Sequence, residues 1–343
     1  MSAITARRRA HSPGHGLGFG LVELLIAVVI GSLVAAAATS VLIVARRGFA
    51  TVDAASQLKD NARFATDVLQ RTIAQAGLVD VHDAIGKRRG ALAPSLTDPA
   101  PSVFGFNNAL FPGTSPPTPE DPLHNTRSGA AGCPTSTDSA CKAGSDILVV
   151  AYQTPATVAG GKTADRTTLS CFGTAQDQPS LPGTSTLSVF HVKPSTDGEP
   201  NLMCSYFNAS GVWVTLAAPL VAGVESFQVL YGVDGVTAGA PTAAGATEDM
   251  VADRYLRSDQ LLVAGHALET RNNWRRVRSV RIGMVLRGPP NSAQDIGAGL
   301  VYHPLGATLG SPADMGSQFD APSDGRLRQT VTFTVSLRND QGL

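Results

Sequence analysis

Hydrophobic and polar positions divide this chain into three regimes. From Leu24 to Ala45, 22 consecutive residues carry no charge, and as a helix they span roughly 33 Å, about the thickness of a bilayer's hydrocarbon core. From Phe49 the pattern turns amphipathic without a break. Phe49, Val52, Ala55, Leu58, Ala62, Ala65, Leu69, Ile73 and Ala76 recur at steps of three or four, while Asp53, Lys59, Asp60, Arg63, Asp67 and Arg71 occupy other faces. No proline falls between Pro13 and Pro94, and Gly77 supplies a stop. The pattern predicts one helix over 19–77, roughly 85 Å long, in which 19–45 is apolar all round. Phe64, Val68 and Ile73 are the predicted anchors of its second half on the rest of the protein.

The third regime is β-rich. Residues 78–145 form a Pro/Gly-rich connecting region, in which the stretch from Ala91 to Ser145 alone holds nine prolines. Asp146–Tyr152 is a continuous apolar run, predicting a strand covered on both faces. Thr167–Cys171, Thr186–His191, Leu202–Phe207 and Val212–Leu216 follow as strands, punctuated by Asp197-Gly198 and Ser210-Gly211 turns. Val224–Tyr231, Val277–Leu286 and an alternating strand from Leu327 to Arg338 complete the set, with a short helix expected in Asp249–Ala264 and long loops at 235–248 and 288–325. The expected fold is α+β: a long N-terminal helix on an antiparallel β-rich globular region over 146–343.

Charge gives the chain a direction. Arg7, Arg8 and Arg9 precede the apolar block and Arg46 and Arg47 follow it. The arginines on the N-terminal side predict a single-pass orientation with the C-terminal region outside the cytoplasm. All four cysteines lie in that region, where disulfides persist. Cys133–Cys141, closing a short loop, and Cys171–Cys204, joining two predicted strands, are the expected pairs among three possible connectivities.

Chemistry is sparse by comparison. The seven histidines show no metal-binding helical spacing, and neither a His-Glu-x-x-His, a Cys-x-x-Cys nor a Gly-x-Ser-x-Gly pattern occurs. The expectation is therefore no catalysis, no cofactor and no metal. Asp80, His82 and Asp83 read as a solvated connector. The run Arg271–Arg278, with four arginines around Trp274, reads as a solvated lead-in to a strand and not as a nucleic-acid site.

One acid interrupts the apolar block, Glu23, in the run Gly18-Phe19-Gly20-Leu21-Val22-Glu23. A basic leader ending in Gly, then Phe, then Glu five residues into the new chain, then an unbroken apolar helix, resembles the class III signal of type IV pilins and pseudopilins. Gly20 departs from the usual Thr after Phe. The segment from Asp60 through Asn61-Ala62-Arg63-Phe64-Ala65 to Leu69-Gln70-Arg71 and Ala76-Gly77 is similar to PilW-type minor pilins. The resemblance is strongest over the helix and looser around Phe227 and Val331.

The resemblance implies cleavage by prepilin peptidase between Gly18 and Phe19, removing 1–18, and methylation of Phe19. It also implies that 19–45 serves first in the inner membrane and then in a filament core, with Glu23 compensating the N-terminal amine of a neighbouring subunit. The implied partners are other minor pilins, the major pilin, the inner-membrane assembly platform and a PilY-type tip adhesin, in a pilus at the cell surface that serves adhesion and twitching motility. Three other readings stay open: a type II secretion pseudopilin of the GspJ kind, a membrane-anchored binding protein or enzyme, and a secreted one cleaved after Ala38, where Ala35–Ala38 offers a signal peptidase site.

Overall fold

The computed structural model describes residues 20–80, 82, 100–111, 113, 115–120, 144–181, 183–215, 219–243, 248–293, 299–311 and 314–339. Gly18, Phe19, Cys133 and Cys141, with the leader and most of the Pro-rich connecting region, lie outside them.

Helix α1 runs over Leu21–Ala74. The chain divides into two compact units, Met1–Val52 and Asp53–Leu343. In the first, α1 has no buried residue. In the second, Ala54, Leu58, Ala62, Ala65, Val68, Leu69, Thr72 and Ile73 form a continuous buried stripe at helical spacing. After Ala74 the chain turns at Gly77, whose φ of 74° is one that L side chains rarely adopt, and its N–H is taken up by the Ala151 carbonyl at 2.9 Å.

Two antiparallel sheets face this stripe's core. The first contains β1 (Val103–Phe106), β2 (Ile147–Tyr152), β3 (Thr186–Pro194), β4 (Pro200–Phe207) and β5 (Trp213–Thr215) in spatial order, with β6 (Val221–Ala222) also paired to β4. The second comprises β7 (Val224–Val233), β8 (Arg254–Leu256), β9 (Val277–Arg287) and β12 (Arg328–Ser336), ordered β12-β9-β7-β8. A small pair, β10 (Val301–Tyr302) with β11 (Phe319–Asp320), stands apart. Helices α2 (Ser258–Leu261) and α3 (Ala267–Arg275) lie between β8 and β9. Leu58, Leu69 and Ile73 of α1 share one core with Phe104, Val149 and Phe190 of the first sheet and Phe227, Ile282 and Met284 of the second. Each large aliphatic side chain taken from water into such a core contributes about 1.5–3 kcal/mol.

Several expectations are corrected. Thr167–Cys171 is not a strand; Cys171 sits in a turn, and the segment is held by hydrogen bonds to Gln75, Tyr152 and Ser188. Asp249–Ala264 yields β8 and the one-turn α2 instead of a single helix. The run Arg271–Arg278 opens within α3, and β1 emerges inside the Pro-rich region. Phe64 does not anchor the helix. It is 50% exposed, because it lies about 100° around the helix from Ala65, which points inward, whereas Val68 and Ile73 are buried.

Candidate functional site

The first unit carries a surface of unusual uniformity. Every large apolar side chain from Leu21 to Val44 is at least half exposed, over a helix long and apolar enough to cross a membrane. Polar side chains within it turn inward on the backbone. Ser32 donates to the Val29 carbonyl at 2.8 Å, Thr39 to Ala35 at 2.9 Å, and Ser40 to Ala37 at 2.7 Å. Their hydroxyl protons are thus satisfied without water, as an apolar surround demands.

Glu23 sits in the first turn of α1, and its Oε2 accepts the Gly20 N–H at 3.1 Å. A carboxylate at this position interacts favourably with the helix dipole and satisfies one of the donors that every helix start leaves over. It is the sole acid between Gly20 and Val52. The same oxygens can also take a cationic donor, whose full charge adds direct attraction to the carboxylate.

The second unit is tied together by covalent and ionic links. Cys171 and Cys204 form a disulfide that joins the loop before β3 to the middle of β4, with Cα atoms 6.5 Å apart. Beside it Phe172 stacks on Tyr206, 5.6 Å between ring centres. At the end of the sheets a half-buried network forms. Arg287 on β9 reaches Glu199 at 2.8 Å and Glu225 at 2.9 Å, Arg326 reaches Glu199 at 2.7 Å, and Arg328 at the start of β12 reaches Glu225 and Asp324, both at 2.6 Å. Glu199 lies in the β3–β4 turn, so the network couples the first sheet to the second. Burial raises the Glu199 carboxyl, but bonds from Arg326 and Arg287 outweigh it and hold it below its usual range; Arg328 holds Asp324 low in the same way.

Two readings of the sequence change here. Asp80 is not a solvated connector. It is buried, accepts the N–H groups of Ala156 at 2.8 Å and His82 at 2.9 Å, and thereby fixes the exit from α1 to the end of β2. Val81 and Asp83 lie outside the described residues. Arginines of the run are paired within the chain. Arg271 pairs with Glu120 at 2.7 Å, Arg278 with Glu248 at 2.7 Å and Asp234 at 3.3 Å, and Trp274 is buried edge-on against Tyr231 at 4.7 Å. These guanidiniums are therefore committed to carboxylates of the same chain.

Among the described residues no group of three His, Cys, Asp or Glu side chains is placed to hold a metal. His191 is buried against Phe111, at 4.9 Å, and burial, aided by Lys193, lowers it to about 3, so it stays neutral. An open groove of about 600 Å³ runs between α1 and the edge strand β12, lined by Lys59, Arg63, Phe64, Asp67, Gln329 and Val331 among others. This is where the exposed face of Phe64 lies, a placement the apolar stripe, which omits Phe64, already encoded.

The family match falls on the sheets. Residues 189–339, from β3 through β12, match a family model described as type IV pilus-assembly protein W. A type IV-like pilin from Thermus thermophilus, 15% identical, aligns over 82% of this chain and 97% of its own with a TM-score of 0.35. No curated protein matches the chain. The long apolar helix, the antiparallel sheets behind it and the family match over residues 189–339 support a type IV pilin-like family, and a pilus-related role, for this chain.

Proposed function

We propose that this chain is a minor pilin that assembles into a type IV pilus near its tip, helping to prime the filament. In this reading prepilin peptidase removes residues 1–18, Phe19 becomes the methylated N-terminus, and residues 19–45 rest in the inner membrane until extracted. The globular part over 146–343 then stays outside the cytoplasm, in contact with other minor pilins, the major pilin and a tip adhesin. No catalytic step is involved; the work is done by packing.

The observation that carries this reading is the exposed apolar surface of residues 21–44 with a single acid, Glu23, at its start. Apolar area is worth about 25 cal/mol per Å² on leaving water or on meeting a matching surface. Glu23 adds direction. It bonds the Gly20 N–H here, and an incoming N-terminal ammonium is a better partner for the same oxygens. The test is Glu23→Ala in the producing cell. Mass spectrometry should still find methylated Phe19 at the N-terminus while surface pili fall severalfold. Undiminished piliation removes the assembly role of Glu23, and a mature N-terminus at Thr39 removes the pilin reading altogether. Loss of twitching on gene deletion, with exoprotein secretion intact, is the expected outcome that separates a pilus from a secretion pseudopilus.

A further inference from the structure

The sheet edges of this protein are not alike. In the second sheet β8 has three residues, and in the first β5 has three and β1 four, all of the last buried. Among the described residues only β12 is a long edge. Its nine residues pair with β9 on one side without a register shift, whereas β7 meets β9 with two. Alternate residues of β12 make these bonds. The Leu337 N–H donates to the Arg278 carbonyl and the Leu327 carbonyl accepts from Gly288, both at 2.8 Å, and the continuous register between them gives Gln329, Val331, Phe333 and Val335 the same role. The N–H and C=O groups of Arg328, Thr330, Thr332, Thr334 and Ser336 therefore point away from the sheet, and among the described residues no strand takes them up.

Such a row is a template for another strand, and proteins blunt it with lysine, proline, bulges or brevity. β12 uses none of these. From Gln329 to Ser336 it has no charge, no proline and no bulge, and its Thr, Val and Phe residues favour the extended state. A groove accompanies the edge. Over its second half α1 runs in the same sense as β12, since Leu58 lies beside Gly288, opposite Leu327, while Asn339 donates to the carbonyls of Ala74 and Ala76 at 3.1 and 3.2 Å. The open groove of about 600 Å³ lies between them, with Phe64 exposed on the helix and Val331 half-buried on the strand. Lys59 and Arg63 line it against a single acid, Asp67, and enter no ion pair among the described residues.

We propose that β12 accepts an extended strand of a second protein, which joins the sheet, sets apolar side chains at alternate positions into the groove beside Phe64 and Val331, and brings a carboxylate to Lys59 and Arg63. In strand addition the backbone bonds supply affinity, and the pockets for alternate side chains supply specificity. The occupant is not another copy of this chain. A copy has only its own β12 to offer as a long edge, and two-fold pairing of identical edges is antiparallel. It would run the two α1 helices in opposite senses and set the same cations along both flanks of the seam. Subunits anchored in one membrane start in the same sense, a step that rests on the function proposed above.

The test uses the full chain in detergent and a fluorescent synthetic peptide as long as β12, alternating valine and threonine with a glutamate at each end, read by anisotropy. The peptide should bind saturably below about 1 mM. N-methylation of its alternate backbone nitrogens should abolish binding, because it removes donors and leaves the side chains intact. Replacing the glutamates by lysine should weaken binding severalfold at low salt, and Lys59→Glu combined with Arg63→Glu should reverse that preference. Thr332→Pro removes an outward N–H only, so it should weaken binding by about tenfold or more while leaving Tm unchanged. Absence of binding, binding indifferent to N-methylation or to the charge reversal, or a dimer of the chain that Thr332→Pro dissolves overturns the proposal. Should Thr332→Pro not fold, the N-methylated peptide decides equally. None of these readouts involves a pilus, so they fail separately from the function proposed above.

Discussion

Residues 21–52 and 53–74 belong to one helix, with one backbone geometry, yet the first stretch buries nothing and the second buries eight side chains. Propensity does not distinguish them. What differs is phase: apolar residues surround the axis in the first stretch and keep to one stripe in the second, with charges on the remaining faces. The same element can thus hold a core together or offer itself to a second environment, and the sequence marks which by how it places charge.

The comparison breaks most visibly at the stripe. Leu69→Ala combined with Ile73→Ala should lower stability by more than about 4 kcal/mol, since each core truncation costs about 2–5 kcal/mol and both side chains are fully buried. Thermal or urea unfolding of the detergent-solubilised chain measures it. Opening the Cys171–Cys204 disulfide by replacing both residues with Ser should cost about 3–4 kcal/mol, from the 33-residue separation it closes. Arg328→Met should follow at about 3 kcal/mol, as it strips a buried cation from Glu225 while Arg287 still attends that carboxylate.

Acidity probes the same network. Glu199 and Asp324 have folded values below their unfolded ones, so the stability they contribute is present above about pH 4 and is lost as pH falls below it. Melting curves from pH 6 down to pH 3 should decline, and decline less steeply in Arg328→Met, where Asp324 has lost its first partner. Smallest of all, Val29→Ala in the first stretch should leave the unfolding of the second unit within about 0.5 kcal/mol, because its side chain touches none of that core.

Much of this was legible beforehand, and the failures share a cause. The helix, its stop at Gly77 and the strands β2, β3, β4, β7, β9 and β12 all announce themselves by long apolar runs or strict alternation. Strand β1 has four residues between a proline-rich stretch and two asparagines, too short to register a period. Helix α3 presents mostly Arg and Asn and buries Trp274 at the end of a polar run, so its inward face shows no hydrophobic stripe. The size of Phe64 suggests an anchor, but its phase, about 100° from Ala65, turns it outward. Asp80 depends on a partner from a distant segment, and nothing local specifies a bond across 76 positions.

The inward hydroxyls of Ser32, Thr39 and Ser40 have one more consequence. A helix that spends its polar protons on itself gives a neighbour nothing to grip at a fixed height, because dispersion between smooth apolar surfaces changes little as one slides along the other. Over this whole length only Glu23 distinguishes one axial offset from the next.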